Sequence, residues 1–144
     1  MAGKRRLTGL LGTAAAVMLV AGAASLVAQA ETLATVRIPR AVLANGQPLA
    51  AGTYAVRVSA EAVTPVVGQA ADATRWVEFV QSGQVRGKEL ATVLAGDAVA
   101  AVVEGRGPAS GSAKVELLKG EEYLRVWINN RGTHYLIHLA VAPR

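Results

Sequence analysis

The chain has no cysteine, which removes disulfides, thiolate metal sites and cysteine nucleophiles, and also the lipidated cysteine of a lipoprotein. Aromatic residues are scarce: one Phe, two Trp and three Tyr, so a core must come mainly from Val, Leu, Ile and Ala. Only two histidines are present, His134 and His138. No basic block stands out. The whole chain carries +5, but removing Lys4, Arg5 and Arg6 leaves 12 basic against 10 acidic side chains. That is an ordinary solubility charge, and nucleic-acid binding has little support. No Ser sits in a G-x-S-x-G elbow. Gly105, Gly107 and Gly111 make a glycine-rich stretch, but Lys114 lies at the wrong spacing for a phosphate loop. The acidic residues are scattered singly except for Glu121 and Glu122, so no paired-carboxylate site is visible.

What is present begins at the N-terminus. Lys4, Arg5 and Arg6 precede an uncharged run from Leu7 to Val27, and Ala28-Gln29-Ala30 places small residues where signal peptidase requires them. The expectation is a signal peptide over residues 1–30, cleaved after Ala30 so that Glu31 begins the mature protein. The alternative is retention as an anchor, since the run is long enough to cross a bilayer of ~30 Å. Its Ala and Gly content and its cleavage triplet favour removal. The flanks of Arg5-Arg6 match a twin-arginine signal poorly. The protein is therefore expected in the periplasm or outside a bacterial cell, touching membrane only through the signal before cleavage.

Residues 31–144 are enough for one β domain without a metal or disulfide staple. Val recurs in short runs between Gly, Pro, Asn and Asp, a distribution that favours strands. Leu33 to Pro39 alternates, with Ala34, Val36 and Ile38 on one face. Asn45-Gly46 is a turn signal. Further strands are expected over Thr53 to Ala60, Arg75 to Gln81, Val85 to Leu94, Lys114 to Lys119, Glu122 to Ile128 and Thr133 to Val141. Residues 62–72 and 104–112 read as loops. Asp97 is positioned to N-cap a short helix over Ala98 to Glu104, with a strand over 98–103 as the rival. The expected fold is all-β, an antiparallel sandwich or barrel of about seven strands with one short helix.

The string VRIPRAVLANGQPLAAGTYAVRV, residues 36–58, resembles the opening hairpin of uncharacterised small bacterial secreted all-β proteins with a G-x-x-L-P-A-G-x-Y signature. Gly46, Leu49, Ala51, Gly52 and Tyr54 match it, and Ala50 stands where the signature has Pro. The C-terminal YLRVWINNRGTHYLIHL is similar to the last hairpin of such proteins. The resemblance implies fold and supplies no catalytic residues.

The last hairpin carries the candidate site. Leu124, Val126 and Ile128 face the same core as Tyr135, Ile137 and Leu139 only if opposed residue numbers sum to an odd value. A connection centred on Asn130-Arg131 gives 261, which pairs Trp127 with His134, Arg125 with Leu136 and Tyr123 with His138. Tyr123, Arg125, Trp127, His134, Leu136 and His138 then share an outer face, and aromatics beside a guanidinium are typical of binding surfaces. The opposing reading covers this face with a loop or another sheet. The two histidines are not expected to share a metal, because four residues of strand span ~13 Å. No metal or cofactor is expected.

The functional expectation is a non-catalytic binding or structural module with a protein or glycan partner and no nucleic acid. A self-associating envelope protein, a homo-oligomer, is the alternative. A hydrolase-like enzyme using His134 or His138 as a general base ranks below both, for want of a nucleophile, an orienting carboxylate or a metal.

Overall fold

A computed structural model describes residues 30–144. Of the expected signal segment only Ala30 lies within it, so the leader and Ala28 fall outside the described residues. The fold is all-β: one sheet of nine antiparallel strands rolled into a nearly closed barrel, plus one short helix. The strands are β1 (Thr32–Ile38), β2 (Val42–Ala44), β3 (Gln47–Leu49), β4 (Gly52–Val58), β5 (Thr74–Gln81), β6 (Gln84–Ala95), β7 (Ser112–Leu117), β8 (Tyr123–Asn130) and β9 (Thr133–Val141), with α1 (Val99–Val102) after β6.

Seven strands make the barrel wall in the order β1-β4-β5-β6-β9-β8-β7. Every step along that path is antiparallel. An odd number of such strands brings the last one round parallel to the first. β7 accordingly packs beside β1 in the same direction, and among the described residues no ladder of hydrogen bonds joins the two. The small β2–β3 hairpin adds to β9 where β6 has ended its pairing, through Val42 opposite Val141 and Leu43 opposite Ala140. It is the pair of strands beyond the seven read from the sequence. Asn45-Gly46 is its turn, and each arm is only three residues long.

The alternation behaves as a half-buried sheet requires. On β1, Ala34, Val36 and Ile38 are buried while Thr35 and Arg37 are exposed. Val56, Val77, Phe79, Val126, Ile137 and Leu139 are completely buried inside the barrel. Tyr54 meets Phe79 edge-on at 6.1 Å between ring centroids, and its hydroxyl donates to the Ala50 carbonyl at 2.6 Å. The interior is thus a packed core, as expected for a small barrel.

Three two-residue turns have positive φ at both central positions: Asn45-Gly46, Ser82-Gly83 and Arg131-Gly132. These are type I′ turns, whose twist matches that of the flanking strands. The third corrects the expected register. Asn130 opposes Thr133, so opposed residues sum to 263 instead of 261. The glycine is the reason: the second turn position has φ of 87° at Gly132, and a turn centred on Asn130-Arg131 would leave arginine there. The helix is also shorter than expected. Ala98 occupies the N-cap position without a side-chain hydrogen bond, so Asp97 caps nothing. Among the described residues no helix is long and apolar enough to cross a membrane.

Candidate functional site

The outer face of β7, β8 and β9 gathers the residues singled out in the sequence. A shift of two in register preserves the faces, so Tyr123, Arg125, Trp127, His134, Leu136 and His138 do lie on one side. The cross-strand partners change. Trp127 opposes Leu136, Arg125 opposes His138, Tyr123 opposes Ala140 and His134 opposes Asn129.

Exposure divides this face in two. Trp127 is only 1% exposed, Leu136 3% and His134 8%, which overturns the expectation that they meet solvent. The physical reason is a second layer. Between β6 and β7 the chain returns across the outside of β8 and β9, and α1 with the residue that follows it lowers Val99 and Val103 onto Trp127 and Leu136, beside Leu94. The backbone at Gly107 presses on the indole: a Cβ added there would stand 2.7 Å from Trp127 Cζ2. Asn129 Nδ2 donates to the Pro108 carbonyl at 3.0 Å and ties the crossing segment down. Beneath it, Trp127 Nε1 donates to His134 Nδ1 at 2.8 Å. The indole N–H is therefore satisfied without solvent.

The other half is open. Tyr123 is 47% exposed, His138 is exposed and Arg125 is half-buried. Glu116 on β7 holds two cations: Lys114 Nζ at 2.5 Å on Oε1, and Arg125 on Oε2 through Nη2 at 2.6 Å and Nε at 3.1 Å. The Lys114 ammonium, and with it the Arg125 guanidinium, keep the Glu116 carboxyl below its ordinary 4.5, against the opposing pull of partial burial. Partial burial pushes His138 below its ordinary 6.5, and the positive Arg125 opposite pushes the same way. Arg125 and Lys114 lie 5.7 and 6.0 Å from the Trp127 ring centroid, at the boundary between the halves.

This arrangement offers little to acid–base catalysis. His134 accepts from an indole, and the charged neighbour of His138 is a cation, so neither imidazole has an orienting carboxylate among these contacts. No group of three or more metal-ligating side chains occurs among the described residues.

Sequence reasoning missed two features. One is Trp76, half-buried on β5, with Lys88 Nζ 4.7 Å from its ring centroid and Glu61 paired to that lysine. The alternation around Trp76 was the available signal, because Val77 and Phe79 face inward. The other is a groove of about 460 Å³ where the ends of β1 and β7 part. Val115, Leu117 and Leu124 supply apolar walls, and Arg40 and Arg144 add charge with no acidic residue in the lining. Arg40 and Arg144 form no ion pair among the described residues. The Leu118 amide donates to the Tyr123 carbonyl, so the alternation aims the backbone groups of Ala113, Val115 and Leu117 away from β8 and toward the seam. No local pattern announces this groove, since its walls come from distant parts of the chain.

No protein-family model matches the chain, and comparisons with curated proteins and with solved structures give no match.

Proposed function

We propose that the chain is an exported, non-catalytic β-barrel module that binds a partner protein at the groove between the ends of β1 and β7. The groove carries this reading: it joins apolar walls at Leu117 and Leu124 to Arg40 and Arg144, which form no ion pair among the described residues. The packed interior directs binding to the outside of the barrel. The chemistry fits an extended segment with aliphatic side chains beside a carboxylate, lying where the end of β7 parts from β1 and reaching Arg40. Export is supported by the basic start, the uncharged run and the Ala28-Gln29-Ala30 triplet before Glu31, and by the resemblance of residues 36–58 to secreted proteins.

The test is a fluorescence titration with anilinonaphthalene sulfonate, an apolar anion. Saturable binding is expected, displaced by acetyl-Leu-Val-Glu and not by the amide of acetyl-Leu-Val-Lys. Arg40→Glu should weaken it about tenfold, or ~1.4 kcal/mol, at an unchanged melting temperature. Equal binding by wild type and Arg40→Glu overturns the reading. The unbonded edge of β7 also favours a second reading, self-association in the cell envelope. A concentration-dependent dimer in sedimentation velocity, abolished by Leu117→Asp, would put that reading first.

A further inference from the structure

The bond between Trp127 and His134 has a chemical condition attached. Indole nitrogen is a donor only, so His134 Nδ1 must present a lone pair. The imidazole is then neutral, with its hydrogen on Nε2. An imidazolium carries hydrogen on both nitrogens. In the same pose two N–H groups would point at each other, and a buried indole donor would lose its partner.

The surroundings do not compensate such a charge. Leu94, the residue opposite His134 on β6, is apolar, and Asn129 opposite it on β8 is neutral. From the covering segment, Val99 and Val103 pack here, whereas Asp97, Glu104 and Arg106 are exposed. The charged groups beside the indole are Arg125 and Lys114, 5.7 and 6.0 Å from its centroid, and both are engaged by Glu116.

The cover itself is lightly built. Its helix has four residues and no side-chain cap. It is held by two valines, by the approach of Gly107 to the indole, and by the Asn129 bonds at Pro108 and Gly111.

We propose that His134 is a proton-operated catch for the segment 96–110. Protonation at Nδ1 breaks the Trp127 bond, the segment lifts from β8 and β9, and Trp127 and Leu136 join Tyr123, Arg125 and His138 in one exposed apolar and cationic face. This goes beyond the groove, which lies at the β1–β7 seam and needs no such movement.

The experiment reads acrylamide quenching of Trp127 fluorescence in the full protein carrying Trp76→Phe, which leaves Trp127 as the sole tryptophan. As the pH is lowered from about 7.5 through the range in which imidazoles change charge and below it, the quenching constant should rise several-fold while the far-ultraviolet circular dichroism keeps its β signature. His134→Asn supplies an acceptor oxygen that cannot be protonated in this range, and its quenching should stay low and flat. Gly107→Ala pushes the segment off the indole and should quench strongly at every pH. His138→Gln should respond as the parent does. Flat quenching in the parent, a surviving pH response in His134→Asn, or its loss in His138→Gln overturns the proposal.

Discussion

At the scale of single residues, Trp127 is the instructive case. Its side of the strand was legible from alternation, because Val126 and Ile128 face inward. Its burial was not, because the cover is an Ala- and Gly-rich stretch whose sequence gives no hint of where it lands. The packing reverses a comparison that an outward tryptophan would suggest. Trp127→Ala should cost ~3–5 kcal/mol, more than the ~1–3 kcal/mol of Val126→Ala, since it empties a site walled by Val99, Val103 and Leu136. Urea melts of the two variants check the order. Two titrating groups on the open half carry signs of their own. Glu116 is held below its ordinary 4.5 by Lys114 and Arg125, so its contribution is present above that value and is lost as pH falls through the lower folded value. Glu116→Gln should flatten the acid limb of the stability curve below about pH 4.5. His138 is pushed below its ordinary 6.5, so the unfolded chain takes up its proton first and stability drops as pH falls from there. His138→Gln should remove part of that decline, as denaturant melts across the range would show.

At the scale of elements, the strands were the legible part. Expected and observed boundaries differ by no more than about two residues, because turn residues such as Pro39, Gly52, Gly83, Gly96, Gly111 and Gly132 flank most strands and several, β1 and β4 among them, alternate. The short arms of β2 and β3 escaped because three residues show no period. The hairpin register escaped for a narrower reason, the weight given to asparagine over glycine in NNRG. A type I′ turn takes its glycine second, which selects Arg131-Gly132. Gly132→Ala should therefore cost more than ~1 kcal/mol through its φ of 87°, although nothing lies within 4 Å of the added methyl. Thermal melts of this variant beside Gly46→Ala, at φ 76° with equally open space, should give similar losses. A much smaller loss at Gly132 would mean that the β8–β9 connection does not need the positive φ.

At the scale of the whole molecule, the all-β architecture follows from composition, while closure of the wall does not. Seven strands suit a sandwich or a barrel equally; the long-range pairing of β6 with β9 joins them into one sheet, and the packing of β1 beside β7 shows that it rolls. The groove belongs to this scale as well, since it exists only where the rolled sheet fails to bond to itself. The leader is a matter of sequence alone. The exported protein should have Glu31 as its first residue, and an intact mass that still includes Leu7 to Val27 would favour an anchor.

The strand β9 bonds to three others, β6, β2 and β8. Without it the sheet falls into separate pieces, a four-stranded run from β1 to β6, a loose β2–β3 hairpin and the β7–β8 pair. Among the described strands the keystone also comes last in chain order, after all three of its partners. A ribosome adds roughly 5–20 residues per second, so for several seconds the nascent chain holds most of its sequence and none of its closed wall. The wall therefore closes in one late step, by a strand that must find three partners already in place, and damage confined to β9 should unmake the closure while sparing the pairing of β1, β4, β5 and β6.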